Sequence, residues 1–401
     1  MKTRLFTPGK IGPIKLRNRA IRSAAFEGMC PDGIPSRSLI DYHRSVAAGG
    51  VGMTTVAYVS VVNGGRTFSH QAYMHPGVIP HFKKLTDAVH AEGALASVQL
   101  GHAGNMGDSK VSGERAVAPS SVFTLFGLTL PRKMSEAYIE AMIDAHGDAV
   151  RMAREAGFDA VEIHAGHGYL ISQFLSPYTN RRKDHWGGSF DNRTRFLKRI
   201  MDAAREAAGG KMALIVKMNM EDGFSRGMQK KEGIMVARLL EDYGADALVL
   251  SGGFVSQTPF FMMKGMTPHR DLISRQTDLL IKTGMIFFSR IMLKQYPYRE
   301  LYFLEDALKV RESVSLPLVY VGGAVSLDGI ERVLGAGFDF VQMARPLLCE
   351  PDFINRIRRD PGHVSFCKTC GGDGPCNTCV ATMYQGEAEC PYAGGKTPLP
   401  R

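Results

Sequence analysis

The chain has 401 residues, of which 44% are hydrophobic, so it can bury a large core. Its formal net charge is +10, but the basic residues are spread along the sequence in short clusters, which argues against a nucleic-acid partner. The N-terminal segment has no apolar core like that of a signal peptide, and no apolar run approaches the roughly 20 residues needed to cross a bilayer, so we expect a cytoplasmic protein without a membrane partner.

Short apolar stretches that end in small or polar residues recur along the chain and predict eight buried strands. They are expected near residues 20–24, 51–58, 94–100, 160–164, 213–219, 247–251, 317–321 and 338–343. Residues with helical periodicity lie between most of them and predict helices over Ser38–Ala48, His81–Glu92, Ser135–Ala156, Asn192–Ala208, Lys230–Tyr243 and Ser326–Leu334. Apolar strands that alternate with helices are typical of a parallel sheet. The pattern favours an α/β protein with a (β/α)8 TIM barrel, and an open doubly wound sheet is the alternative.

Two longer excursions interrupt this rhythm, at residues 102–134 after the third strand and at 252–301 after the sixth. Both leave the carboxyl ends of strands, where barrel enzymes build their sites. The second is rich in Phe and Met, which predicts a cap over a ligand, a contact with a neighbouring subunit or an ordinary subdomain core. We expect a barrel domain at 1–360 and a Cys-rich tail at 361–401, and the sequence leaves a homo-oligomer open.

The segment Ala160–Tyr169, AVEIHAGHGY, predicts a buried strand that ends in two histidines and a tyrosine. His164 and His167 lie three residues apart, so they converge only if the chain turns after the first, and two nearby glycines permit that turn. Two imidazole N–H donors at one point suit an oxygen that becomes negative during a reaction, and Tyr169 would be a proton donor nearby. The alternative is one buried structural histidine and one surface histidine.

The ends of the last two predicted strands carry the signature of a phosphate site. In barrels, the loops after strands seven and eight often hold phosphate through backbone N–H groups. Gly322 and Gly323 follow the seventh strand and let the backbone approach a phosphate closely. Arg345 follows the eighth strand and adds a charge that can bind in a bidentate way. Together they predict a ligand that bears phosphate.

Two polar residues belong to predicted interior strands. Lys217 lies within ALIVKMN, where burial without an anionic partner would be costly. It should therefore meet a ligand or a carboxylate such as Glu221 or Asp222. Gln99 ends the third strand and offers both a donor and an acceptor, and its alternative interpretation is an ordinary loop contact.

With these residues placed, most of the chain resembles the Old Yellow Enzyme family of FMN-dependent barrel oxidoreductases. The similarity is greatest to the bacterial NADH:flavin oxidoreductase and ene-reductase branch, which is related to the barrel domain of 2,4-dienoyl-CoA reductase. Its most specific part is HAGHGYLISQFLSPYTNRRKDHWGGSFDNRTRF. The match runs from about Phe6 to Phe353. The motifs that carry it are His164–Phe196, LRNRAIRSA from Leu16, QLGHAG from Gln99 and VGGAVS from Val321.

The resemblance implies a (β/α)8 barrel with FMN as cofactor, NAD(P)H as electron donor and a small-molecule substrate. It implies that His164 and His167 bind the activating oxygen of the substrate and that Tyr169 donates a proton. Flavin contacts are implied at Ser23, Ala24, Ala25, Ala57, Gln99, Lys217, Gly322, Gly323, Ala344 and Arg345. The rest of the long motif is interpreted as loop architecture and includes Asn180, Arg181, Asp184, Trp186 and Arg193.

The reaction implied is hydride transfer from NAD(P)H through the flavin to the β-carbon of an activated alkene, such as an α,β-unsaturated carbonyl compound. The alternative is an FMN-dependent dehydrogenase of amine or alcohol type that passes electrons through an iron–sulfur cluster in the tail. The alternative to an enzyme is a non-catalytic barrel that binds flavin. The presence of two histidines and Tyr169 in one loop argues against it.

The chain departs from the family pattern at three places. Phe26 stands where relatives often carry a cysteine or threonine that tunes the flavin. Asn105 stands where an HxGR pattern would have arginine. The excursion at 252–301 is longer than usual, so the substrate pocket is not carried over from the family.

Five cysteines crowd the tail, namely Cys367, Cys370, Cys376, Cys379 and Cys390. Without a secretory signal, CxxC pairs indicate metal ligands or free thiols sooner than disulfides. Larger relatives hold a [4Fe–4S] cluster on a compact cysteine run here, but the cysteine expected three residues before Cys376 is Asp373. Free thiols are therefore favoured over an iron–sulfur cluster or zinc on these residues.

Overall fold

A closed barrel of eight parallel strands forms the centre of the molecule, in a computed structural model that describes residues 3–124, 129–276, 279–368, 370–372, 374–383 and 386–393. Each strand pairs with the next one along the chain, and the last pairs with the first. The predicted TIM barrel is therefore confirmed. The strands are β1 (Ala20–Arg22), β2 (Met53–Ser60), β3 (Leu95–Gly101), β4 (Ala160–Ala165), β5 (Ala213–Asn219), β6 (Ala247–Ser251), β7 (Leu318–Val321) and β8 (Phe340–Met343).

One helix follows each strand on the outside of the barrel. Serine side chains cap the amino ends of four of them, at Ser36, Ser135, Ser189 and Ser326, and so bond backbone N–H groups that have no partner within the helix. The six predicted helices are confirmed within two residues at each end, and α6 and α8 are additional. The helices are α1 (Arg37–Ala48), α2 (Ile79–Ala91), α3 (Glu136–Glu155), α4 (Phe190–Ala208), α5 (Lys230–Asp242), α6 (Leu304–Arg311), α7 (Leu327–Gly335) and α8 (Phe353–Arg359).

Apolar residues close the barrel at the amino ends of the strands. An antiparallel hairpin of Gly9–Ile11 and Ile14–Leu16 lies there, and its Ile11 and Leu16 are fully buried among interior residues such as Ile215 and Phe340. A second apolar layer fills the space between the strands and the outer helices. Because the amino end is packed solid, a ligand site is left to the opposite, carboxyl end of the barrel.

Both excursions leave the carboxyl ends of strands, as predicted. The first contains the short helix Ser109–Ser112 and a pairing of Val117–Ala118 with Arg132–Lys133. The second contains the helices His269–Arg275 and Leu279–Met292. Among the described residues, no helix combines the length and the apolarity that crossing a membrane requires.

The tail lies across the barrel mouth and touches its rim at several points. The backbone N–H of Ala388 donates to the carbonyl oxygen of Glu27 at 2.6 Å. His70 Nε2 lies 2.7 Å from the carbonyl oxygen of Met383, within hydrogen-bond distance. Residues that follow α8 therefore form one wall of the space above the strands. The division of the chain at residue 360 stays a prediction.

Candidate active site

A cavity of about 1290 Å³ opens at the carboxyl ends of the strands, between the two excursions and the tail. Sites for one small molecule usually occupy about 300–1000 Å³, so this cavity has room for two ligands side by side. Twelve of the thirteen predicted site residues line it, namely His164, His167, Tyr169, Ser23, Ala24, Ala25, Gln99, Lys217, Gly322, Gly323, Ala344 and Arg345.

Ala57 is the predicted site residue that the structure does not bring to the cavity wall. Its backbone N–H lies 3.2 Å from the buried carboxylate of Glu27, which also pairs with Arg22 at 2.6 Å. The neighbouring Tyr58 lines the cavity instead. The flavin contact expected at Ala57 therefore stays a prediction, without a cavity-facing side chain to support it.

The floor of the cavity is a buried polar cluster around Glu162. Lys217 Nζ lies 2.8 Å from Glu162 Oε1, and Gln99 Nε2 donates to the same oxygen at 2.6 Å. Gln342 Nε2 donates to the other carboxylate oxygen at 2.8 Å, and its own Oε1 accepts from Ser23 Oγ. A carboxylate with three donors can remain charged where a lone one could not.

The prediction that Lys217 meets a carboxylate is confirmed, but the carboxylate is Glu162, and the expected partners Glu221 and Asp222 are wrong. Both of those residues come after β5 has ended at Asn219, so they leave the barrel interior. Glu162 lies two residues before His164 on β4, and His164 is paired in register with Lys217. Residues two apart on a strand face the same side, so Glu162 and Lys217 both point inward. Burial lowers the pKa of Lys217, although Glu162 acts in the opposite direction.

His164 and His167 meet above this floor, as the sequence predicts. Their ring centroids lie 5.0 Å apart at an angle of 88°. The turn between them places His167 at a φ of +59°, in the left-handed region that histidine tolerates better than most residues. The ring of Tyr169 lies 4.7 Å from that of His164. The loop therefore gathers two imidazoles and a phenol on one wall of the cavity.

Both histidines are uncharged at neutral pH. Burial lowers the pKa of His164 well below its usual range and that of His167 to about 3, and the positive charge of Lys217 acts in the same direction. The backbone N–H of Gly166 donates to His164 Nδ1 at 3.4 Å, which favours the tautomer of His164 with its ring proton on Nε2. A neutral imidazole can donate this N–H without giving up its proton.

Residues behind the loop hold His167 in place. Its Nε2 lies 2.7 Å from Ser251 Oγ at the end of β6. Its backbone N–H donates to Asn219 Oδ1 at 2.9 Å, and Asn219 Nδ2 in turn donates to Asp222 Oδ1 at 3.0 Å. Burial raises the pKa of Asp222 to about 6. These contacts join the ends of different strands, so no local pattern in the sequence predicts them.

Tyr58 is a second aromatic residue of the same wall that sequence reasoning missed. Its ring lies 4.8 Å from that of Tyr169 and 6.0 Å from that of His164. Only 5% of the residue is exposed, and burial raises its pKa to about 12. Tyr58 directly follows Ala57, near the end of an apolar strand, and this position in the sequence could have predicted that it lines the cavity.

At the other end of the cavity, Gly322 and Gly323 adopt φ values of +145° and +78°, which glycine accommodates without strain. Arg345 lies beside them on the cavity wall. Its Nη1 donates to Asn377 Oδ1 in the tail at 2.6 Å and to the carbonyl oxygen of Lys264 at 3.1 Å. The tail thus orients the guanidinium on the cavity wall, where its charge would suit an anion.

No disulfide joins any of the seven cysteines, and Cys367 and Cys379 line the cavity close to Arg345. Among the described residues, no group of three or more cysteine, histidine or acidic side chains could hold a metal ion. Asp373 lies outside the described residues. The role of the tail thiols therefore stays a prediction.

The departures from the family pattern have clear packing partners. Phe26 lines the cavity and stacks on Phe68, with ring centroids 5.0 Å apart. Asn105 is buried and accepts a hydrogen bond from Gln173 Nε2 at 2.9 Å. In the long motif, Asn180 Nδ2 donates to the carbonyl oxygens of Phe174 and Trp186, which closes the loop on itself.

Known proteins resemble this chain in both sequence and fold. The 4,4'-dithiodibutanoate disulfide reductase of Rhodococcus erythropolis is 37% identical over 383 residues, which cover 95% of this chain and 93% of the relative. A structure of 2-naphthoyl-CoA reductase with 2-naphthoyl-CoA has a TM-score of 0.79 at 25% identity, over 96% of this chain and 58% of that one. The Old Yellow Enzyme homologue of Zymomonas mobilis has a TM-score of 0.72 at 22% identity, over 98% and 99% of the two chains, and so shares the fold.

The family assignment follows from the extent of the sequence match. Residues 4–258, more than half of the chain, match the NADH:flavin oxidoreductase / NADH oxidase family. The matched region contains β1 to β6, both histidines, Tyr169 and the Lys217–Glu162 pair. The chain therefore belongs to the NADH:flavin oxidoreductase / NADH oxidase family, the Old Yellow Enzyme family that its motifs predicted.

Proposed function

We propose that this protein is an FMN-dependent enzyme that uses NAD(P)H to reduce the activated carbon–carbon double bond of a small molecule. The observation that carries this proposal is the pair of uncharged histidines with Tyr169 beside them, above the Lys217–Glu162 pair. An uncharged pair of N–H donors suits an oxygen that gains negative charge during the reaction.

The residues of the cavity fit the cofactor. Gln99, Lys217 and Gln342 would bind the heteroatoms of the flavin ring, and Ser23 bridges two of them. The phosphate would lie at the opposite end of the cavity from the histidines, beside the backbone of Gly322 and Gly323 and the charged side chain of Arg345. Ala24, Ala25 and Ala344 would contact the ring or the ribityl chain. When bound, the flavin supplies the hydride that NAD(P)H has delivered to it.

His164 and His167 would bind the carbonyl oxygen of the substrate. Their low pKa values keep them neutral, so they stabilise the developing negative charge by donating hydrogen bonds. Ser251 and Asn219 hold His167 and remove the need for it to reorganise during the reaction. Tyr169 would deliver a proton to the α-carbon, while the β-carbon receives the hydride.

Reduction of an organic disulfide is a second candidate, because the relative that is 37% identical over almost the whole chain is named for that activity. Two electrons and two protons would convert one disulfide to two thiols. Three cations on the excursions line the cavity and would suit carboxylates on such a substrate, namely Lys110, Arg115 and Arg275. The same histidines would then stabilise the leaving thiolate.

Stopped-flow measurements on the flavin-loaded protein decide between the candidates. The protein is reduced anaerobically with one equivalent of NADPH or NADH and mixed with 2-cyclohexenone or 4,4'-dithiodibutanoate. We expect the enone to restore the oxidised flavin spectrum, and His164→Ala to slow that step by roughly 10²–10³, the usual loss for one oxyanion donor. Rapid oxidation by the disulfide with none by the enone would overturn the alkene proposal in favour of the second.

A further inference from the structure

The helix Leu279–Met292, here called the rim helix, separates the cavity from the outside of the molecule. Met285 and Ser289 on one side of it line the cavity, as does Leu293 just beyond its end. In the described part of the chain, the four most exposed large apolar side chains all belong to the rim helix. They are Leu279 at 77%, Phe287 at 72%, Ile286 at 58% and Phe288 at 56%.

These side chains form a continuous outer face. Leu279, Thr283, Ile286, Phe287 and Arg290 follow one another at intervals of three and four residues or as neighbours, which places them on one side of an α-helix. A cluster of exposed aromatic and aliphatic residues of this kind marks a surface that binds something. The inner face is already occupied by the cavity, so the partner must be external.

The charge around the rim helix identifies the kind of partner. Residues 264–299 hold seven lysines and arginines against two aspartates; of these cations, Arg275 lines the cavity and Arg299 pairs with Glu305 at 3.0 Å. Arg270, Arg290 and Lys294 are exposed. Within the ranges that the structure describes, none of these three has an ion-pair partner. A surface that is both apolar and strongly basic fits a partner that is both apolar and acidic.

A second copy of the chain fits this surface poorly. A twofold axis through the rim helix would bring the same basic residues of two copies against each other. Phenylalanines in the middle of a helix with lysine and arginine around them are instead typical of helices that lie in the interface of a bilayer. Anionic lipid head groups attract the cations, and the apolar face enters the boundary with the acyl chains.

We propose that the rim helix docks the protein on the surface of an anionic membrane, with its outer face in the lipid and its inner face on the cavity. This proposal departs from the expectation of no membrane partner, which rested on the lack of a spanning segment, because an interfacial helix lies on the bilayer rather than across it. Apolar substrates dissolved in the membrane would then enter past Met285 and Leu293. The docking itself needs no catalysis and is independent of which acceptor the enzyme reduces.

Co-flotation of the flavin-loaded, full-length protein with vesicles tests the proposal. The vesicles are phosphatidylcholine with or without phosphatidylglycerol, at low and at high salt. We expect binding to vesicles that contain phosphatidylglycerol, weakened by salt because screening reduces the attraction. Phe287→Ser/Phe288→Ser and Arg290→Glu/Lys294→Glu should each lower the partition coefficient by roughly tenfold or more.

Two matched controls lie on α5, where Met235→Ser replaces an exposed apolar residue and Lys231→Glu reverses an exposed charge. Both should bind vesicles as the unchanged protein does, and flavin absorbance and thermal melting should be the same for all variants. Failure of the unchanged protein to bind, or equal binding by the rim-helix variants, would overturn the proposal. So would a dimer in sedimentation that Phe287→Ser/Phe288→Ser dissociates, since a second copy would then cover this face.

Discussion

Ser251 Oγ lies 2.7 Å from His167 Nε2, so the last residue of β6 fixes a histidine that the loop after β4 supplies. This contact leaves His167 Nδ1 as the nitrogen that can face the cavity. The orientation of one proposed substrate ligand therefore depends on a residue outside its own loop.

Removal of this hydroxyl should weaken the alkene half-reaction. One such hydrogen bond contributes about 0.5–1.5 kcal/mol, so Ser251→Ala should slow enone reduction by up to about tenfold. Flavin reduction by NAD(P)H should change less, because no oxyanion forms in that step. Ser251→Thr retains the hydroxyl and should recover most of the rate in stopped flow. Equal slowing of both half-reactions by Ser251→Ala would indicate a general distortion of the site.

Tyr169→Phe should reduce turnover of a weakly activated enone by roughly 10²–10⁴, the range for a lost general acid. The variant should still accept electrons from NAD(P)H and still bind enones. A nitroalkene should be less affected, because its nitronate product can be protonated later by water. Tyr58→Phe, on the adjacent ring, is the matched control and should have a much smaller effect. Unchanged enone turnover in Tyr169→Phe would remove this residue from the mechanism.

Arg345→Ala should weaken flavin retention. A charge-assisted hydrogen bond contributes about 1.5–3 kcal/mol, which corresponds to roughly 10- to 150-fold in the dissociation constant of FMN. Asn377→Ala leaves the charge in place and removes only the contact that orients it, so its effect should be smaller. Flavin content after dialysis and fluorescence titration with FMN measure both. Full occupancy by FMN in Arg345→Ala would show that the phosphate binds elsewhere in the cavity.

Glu162→Gln should destabilise the fold more than its small change in shape suggests. It leaves Lys217 buried without a counter-charge, and loss of one partner of a buried pair costs about 3–5 kcal/mol. The double variant Glu162→Gln/Lys217→Met removes both charges and should recover much of this loss. Urea unfolding in the absence of FMN measures the free energy of unfolding of the unchanged protein, the single variant and the double variant. Full stability of the single variant would contradict a charged pair at the cavity floor.

Buried neutral histidines should make the protein sensitive to acid. Burial lowers the pKa of His102 and His167 to about 3 and that of His146 to about 4. The unfolded chain takes up protons near pH 6.5, whereas the folded protein does not until these lower values. Stability should therefore fall as the pH drops below about 6.5, by about 2 kcal/mol per histidine at pH 5.

Urea unfolding at neutral and acidic pH measures this loss. His146→Gln should reduce the pH dependence by about one proton, since it removes one of the groups that titrate only on unfolding. An unchanged pH dependence in that variant would mean that His146 is already accessible to protons in the folded protein.

Local patterns predicted the barrel well, because each strand and helix has its own signature in apolar spacing and capping residues. The histidine loop was predictable for the same reason, since its glycines and its strand are adjacent in sequence. The partner of Lys217 was not, because Glu162 belongs to the neighbouring strand β4, and only the register between β4 and β5 brings the two side chains together. Nor was the wall formed by the tail, since a contact such as Ala388 to Glu27 leaves no local trace.

The tail is also the last part of the cavity wall to be made during synthesis. Glu27 and His70 are made early, but their partners at Ala388 and Met383 leave the ribosome only after the whole barrel has been translated. The strand pair that closes the barrel, β8 with β1, is likewise late. A nascent chain without the tail therefore lacks this wall, and the complete cavity exists only once the early and late segments have met.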